Sequence, residues 1–161
     1  MKKIAFLLLL VIPMFAFSQG KKDIKANKIK SRTISATEQK DGVPITYNES
    51  YEEYDKNGNT VTKIDYTKSG EIKNKQTFKY DSFGNTTEKV DFDKKSGKTL
   101  KTTYKYDAKG EKTEELVTDS QGNTVEKIVY IYDAKNLRTQ SKEYNSKGEI
   151  KEIKKSTYIY F

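Results

Sequence analysis

From residue 29 to the end, the chain reads as short runs in which every second residue is apolar or aromatic, each stopped by a polar cluster holding Gly or Asn. That is the period of a strand with one face turned toward other apolar groups. The runs predict strands at about 29–39, 44–54, 59–66, 71–80, 85–92, 98–106, 111–118, 123–132, 137–144 and 149–160. Ten strands at about 4.8 Å spacing make a sheet roughly 45 Å wide. No helix is expected to cover it, so it should curl over its own aromatic face. The predicted fold is all-β, an antiparallel meander of about ten strands forming a curled single sheet or a partly closed barrel.

The polar clusters repeat. Glycines fall at 58, 70, 84, 97, 110, 122 and 148, with Asn136 in the missing place, and alternate members (58, 84, 110, 136) lie 26 residues apart. The unit is therefore two strands and two turns. Before the turns stand Tyr54-Asp55, Tyr80-Asp81, Tyr106-Asp107 and Tyr132-Asp133, and in the alternate set Tyr66-Thr67 and Tyr144-Asn145. Asp or Asn at the first position accepts from the backbone two residues on, and Gly at the fourth takes the positive φ that closes a type I turn with a bulge.

If each turn is a three-residue loop, Asp81 faces Asn85 and Tyr80 faces Thr86, with Phe92 opposite Leu100, Tyr66 opposite Ile72 and Tyr144 opposite Ile150. One face then collects the apolar positions from Ile64 to Ile150, Val90 and Phe92 joining Phe78 and Tyr80. The other pairs Asp65 with Lys73, Asp91 with Lys101, Glu115 with Lys127 and Glu143 with Lys151, Lys63 opposite Lys75 being the exception. Ile45, Tyr47 and Tyr51 share a parity that Tyr54 lacks, which predicts a bulge near Glu52-Glu53.

The strings YKYDAKGE, FKYDSFGN and YEEYDKNGN resemble the YD, or RHS-type, repeats of bacterial surface and toxin-shell proteins, over roughly residues 47–161. The resemblance implies a fold and a compartment, with no activity. It also suggests an immunity-like partner that neutralises a secreted toxin.

Ahead of the repeats, Lys2 and Lys3 precede an apolar run from Ile4 to Phe17, then Ser18. This reads as a signal peptide over 1–18, too short for a comfortable membrane span. A linker over 19–28 and a repeat domain over 29–161 follow. With no cysteine, lipid attachment and disulfides are excluded, so the expected product is exported, periplasmic or extracellular, and not a lipoprotein.

The chain has no histidine, which removes the commonest general base and imidazole metal ligand. Without the leader it carries 29 basic and 23 acidic residues, with only Arg32 and Arg138 as arginines. Lysines alternating with Thr, Asp and Glu describe a solvated sheet face, so no nucleic-acid partner is expected. Glu114, Glu115, Glu126 and Asp91 are candidate carboxylates for hydrolysis, yet no pair is singled out. Asp55, Asn57 and Asn59 start like a calcium loop, but Gly58 comes too early and Tyr66 stands where the bidentate Glu belongs. No enzyme activity, metal or cofactor is expected.

The candidate site is the row Tyr54, Tyr80, Tyr106 and Tyr132, recurring on every second strand about 9.6 Å apart, on which an extended glycan or peptide could lie. The chain therefore reads as a non-enzymatic envelope or secreted module that is structural or binds a protein or glycan partner. The alternative is a small outer-membrane β-barrel, suggested by ten strands and the ending Tyr158, Tyr160, Phe161. Membrane insertion is not expected, because neither parity of the fourth, sixth and ninth strands is an apolar band.

Overall fold

A computed structural model describes residues 21–40, 42–159 and 161; the expected signal peptide lies outside them. A helix, α1 (Lys21–Ala26), precedes ten strands: β1 (Ser31–Lys40), β2 (Val43–Tyr54), β3 (Thr60–Tyr66), β4 (Ile72–Tyr80), β5 (Thr86–Asp93), β6 (Lys98–Tyr106), β7 (Lys112–Thr118), β8 (Thr124–Tyr132), β9 (Arg138–Asn145) and β10 (Ile150–Lys155). They pair in chain order in one antiparallel sheet. The sheet is open, β1 pairing with β2 alone and β10 with β9 alone. All ten expected strands are present; the last stops at Lys155 rather than residue 160.

The turns account for the meander. In Asp81–Asn85 the Asp81 N–H donates to the Asn85 carbonyl (3.0 Å) and the Gly84 N–H to the Asp81 carbonyl (3.1 Å). Asp81 Oδ1 accepts from the N–H groups of Phe83 and Asn85, both at 2.9 Å. The same bonds recur at Asp55, Asp107, Asp119, Asp133 and Asn145. The repeat glycines all have positive φ, and Asn136 joins them at 61°.

Register is where the sequence reading fails. Asp81 does meet Asn85, and Tyr80 pairs with Thr86, but the next pair is Lys79 with Glu88, leaving Thr87 as an extra residue. Val61, Thr113 and Thr139 are extra in the same way after the other Tyr-Asp turns. An extra residue reverses which face every later position takes. Val90 therefore pairs with Thr77 and Phe92 with Lys75, away from the face of Phe78 and Tyr80.

The apolar residues are split between the two faces accordingly. Phe78, Tyr80, Leu100, Tyr104, Tyr106, Ile128, Tyr130 and Tyr132 share one, the tyrosine face. Ile64, Tyr66, Val90, Phe92, Leu116 and Tyr144 lie on the other. Most expected charge pairs shift too: Asp65 meets Asn74, Asp91 meets Leu100, Glu115 meets Ile128 and Lys63 meets Gln76, whereas Lys151 does reach Glu143 although Glu152 is the register partner of Glu143. Phe92 meets Thr99 instead of Leu100, whereas Tyr66–Ile72 and Tyr144–Ile150 pair as expected. β2 meets two irregularities: against β3 the register shifts between Glu53 and Tyr54, next to the expected place, and against β1 Glu49 is an extra residue.

A single layer leaves little core. Among the described residues only Ile24 (2% exposed) and Tyr54 (8%) are buried hydrophobics. Ile24 belongs to the segment expected as linker, which forms α1 and folds over the first Tyr-Asp turn, beside Tyr54. The helix ends in a Schellman motif, with the Lys28 N–H on the Lys25 carbonyl (3.2 Å) and the Ile29 N–H on the Ile24 carbonyl (3.0 Å). Lys28 takes the left-handed position of that motif, φ 53°, at a cost of about 1–2 kcal/mol for a residue other than Gly. Gly58 is why α1 can sit so close: a Cβ there would lie 2.6 Å from the Lys21 carbonyl oxygen.

Candidate functional site

The tyrosine row is fastened to its own sheet. Tyr80 Oη donates to the Thr60 carbonyl, Tyr106 Oη to that of Thr86 and Tyr132 Oη to that of Lys112, each at 2.8 Å and each 20 residues back. Every acceptor is the first residue of the preceding odd-numbered strand, immediately before the extra residue. A bulge disrupts the ladder at that point, and the phenol supplies a donor there. To reach a carbonyl one strand away, the ring must lie down across the sheet, fastening the open mouth of each hairpin opposite its alternate turn.

The sequence reading missed a fifth member. Tyr158, 26 residues after Tyr132, donates to the Arg138 carbonyl at 2.7 Å and closes the last hairpin. The spacing was in the sequence, but Tyr158 has no Asp-x-x-Gly after it to mark it. Tyr54 departs from the pattern in the other direction: its hydroxyl donates to Glu52 Oε2 (2.5 Å), which Arg32 also grips (2.8 Å). Burial first, and then the Glu52 carboxylate, push the Tyr54 phenol up to about 12. Tyr54 is covered by α1, so Tyr80, Tyr106 and Tyr132 are the half-buried rings of the row.

Beside Tyr132 the tyrosine face carries a compact charged cluster. Tyr130 donates to Glu115 Oε1 (2.7 Å), which Lys112 also meets (2.9 Å). Arg138 lies over the Tyr130 ring at 4.3 Å, and Lys112 over Tyr104 at 4.6 Å. These cation–ring contacts occupy both cations. Burial opposes ionisation of Glu115, but the bonds from Lys112 and Tyr130 outweigh it and hold the carboxyl below its usual range. Burial and Glu115 together raise the Tyr130 phenol.

The candidate carboxylates are placed apart. Glu114 and Glu115 point to opposite faces, and Glu114 is held ionised by Lys105 and Lys127, both at 2.8 Å. Asp91 meets Lys89 (3.0 Å) and Gln76 (2.6 Å), and Glu126 lies 3.6 Å from Lys151. Glu88, one repeat before Glu114, sits in the same way between Lys101 and Lys79. In the loop with calcium-like spacing, the Asp55 carboxylate accepts from the Asn57 and Asn59 N–H groups and from Asn59 Nδ2. Those are the bonds of a hairpin turn.

No protein-family model and no curated protein matches the chain. Among solved structures, a porin-like protein from Bacteroides uniformis aligns over 75% of this chain and 48% of its own, with 18% identity and a TM-score of 0.36. The chain thus spans about half the length of that protein. A protein of unknown function from Bacteroides fragilis aligns over 81% of this chain and 96% of its own, with 16% identity and a TM-score of 0.23.

Proposed function

We propose that this is an exported, non-catalytic repeat module of the YD type, which presents its tyrosine face to an extended partner, a glycan or a peptide strand. The observation that carries this reading is the fastened row: Tyr80, Tyr106 and Tyr132 repeat on every second strand, their hydroxyls bonded to the backbone. A ring held by its own hydroxyl is a pre-positioned platform, so little ordering entropy is lost when a ligand stacks on it. Two strand spacings, about 9.6 Å, separate successive platforms, the length scale of a disaccharide. Glu115, the carboxylate beside the row, is paired with Lys112 and held below its usual range, which supports a recognition surface over general-acid chemistry.

The test is titration of linear oligosaccharides and extended peptides against variants at Tyr106. Tyr106→Leu removes the platform and should abolish binding. Tyr106→Phe keeps the ring and should bind within a few-fold of the parent while losing stability. If Phe loses as much binding as Leu, or Leu loses none, the row is not the binding surface. Fractionation decides export: the reading requires the native protein in the envelope or medium and in solution without detergent.

A further inference from the structure

A second feature lies beside α1 and shares with the tyrosine row only Tyr54, the member that α1 covers. Between α1, the β1 entry and the Asp55 turn is a hollow of about 450 Å³. That falls in the roughly 300–1,000 Å³ range of small-molecule sites. Its floor is apolar: the half-buried Ile29, with Ile24 and the Tyr54 ring closed beneath it. Its rim is basic: Lys25, Lys28, Lys30 and Lys56. Asp55 also lines it, but both carboxylate oxygens are taken by Asn57 and Asn59. The hollow therefore joins an apolar bed to an excess of positive charge.

Lys28 adds an independent reason to assign a ligand. Among the described residues, every other left-handed position is Gly or Asn, the residues that tolerate it. At the end of α1 the same geometry is given to a lysine. The carbonyl end of α1 favours a positive charge there, which Lys25 within the last turn already supplies, and Lys28 also lines the hollow. Strain retained where a charged group faces a cavity is a mark of function.

We propose that this hollow binds a free amphiphilic anion, a single alkyl chain lying on Ile24, Ile29 and Tyr54 with an anionic head met by Lys28 and its neighbouring lysines. Bringing a head group against several ammonium groups beside an apolar wall gives charge-assisted contacts that a neutral amphiphile lacks. Lys28 is thus a binding residue kept at the expense of the helix end.

The test uses dodecyl phosphate below its micellar concentration, titrated calorimetrically into the purified protein, beside dodecyl maltoside and inorganic phosphate. Dodecyl phosphate should bind one per chain, about tenfold or more tighter than either control. Lys28→Gly should leave the urea midpoint unchanged or higher while weakening dodecyl phosphate by about tenfold, and Lys56→Ala should weaken it with no change of fold. Equal binding of the maltoside would reduce the site to an apolar hollow, and equal binding of inorganic phosphate to lysine charge alone. Full binding by Lys28→Gly, or no binding by the parent, overturns the assignment. So does sedimentation with anionic vesicles in preference to the soluble amphiphile, which would make the patch a membrane contact.

Discussion

At Gly110 the backbone has φ 84° and open space where a side chain would go, so only the dihedral restricts it. Gly110→Val should cost about 1–3 kcal/mol, and Gly110→Asn much less, since Asn136 already fills the equivalent place. Gly58 shares the dihedral, but a Cβ there meets the Lys21 carbonyl, so Gly58→Asn should cost as much as Val by lifting α1. Urea midpoints of the four variants check both statements; equal losses for Gly110→Asn and Gly110→Val would remove the left-handed turn. Alkali reaches the buried Tyr54. The Tyr54 phenol is raised from 10.0 to about 12, so the fold holds its proton more tightly than the unfolded chain. That stability is complete below pH 10 and is lost as pH rises toward 12. Phenolate absorbance should show late-titrating tyrosines, and Glu52→Gln should bring one of them earlier. The turn residues were legible because Asp-x-x-Gly names its own geometry. Lys28 was not, because nothing in its type announces a left-handed backbone.

The hairpin is the element that the tyrosines complete. Tyr106→Phe deletes one phenol–carbonyl bond and leaves the Thr86 oxygen to water, which should cost about 1 kcal/mol. Tyr158→Phe should cost less, because that bond is exposed at the sheet edge. Hydrogen exchange should show faster opening at the mouth of the β5–β6 hairpin in the first variant and not at its turn. Uniform acceleration across the sheet would contradict a local fastening. Strand positions were legible from alternation, but the faces were not. An extra residue after a turn exchanges the faces. Val61, Thr87, Thr113 and Thr139 follow the Tyr-Asp turns and differ from ordinary strand residues only in being β-branched at a 26-residue spacing, while Lys73, Val125 and Lys151 follow alternate turns. The cross-strand charges proved a poor check, since lysines are dense enough to meet carboxylates in a shifted register. The observed partners of Glu88 and Glu114, repeated 26 residues apart, are the better indicator. The six residues of α1 are too few to show a helical period, so a linker was the natural reading.

For the whole molecule, stability is a sum over neighbours, with no central core to lose. Excising residues 86–111 should join Asn85 to Lys112 with every turn, bulge and tyrosine bond preserved in kind. The shortened chain should keep its strand signal by circular dichroism and unfold with a smaller urea m-value. Excising half as many residues should fail, because it would join turns of the two alternating types. An unstructured product from the 26-residue deletion would show that the units are not interchangeable. The order of the sheet followed from the even turn spacing, while its openness is seen only in the strand pairing. The bulges divide the apolar residues between the two faces, so the aromatic face is narrower than alternation alone implied. The phenols of Tyr80, Tyr106, Tyr132 and Tyr158, moreover, each bond to a carbonyl that precedes them by 20 residues, never to one that follows. A chain emerging amino-terminus first would find every latch's receptor already laid down when the latch arrives. Its assembly can proceed vectorially, like a ratchet, and a chain interrupted part-way would leave finished hairpins behind it.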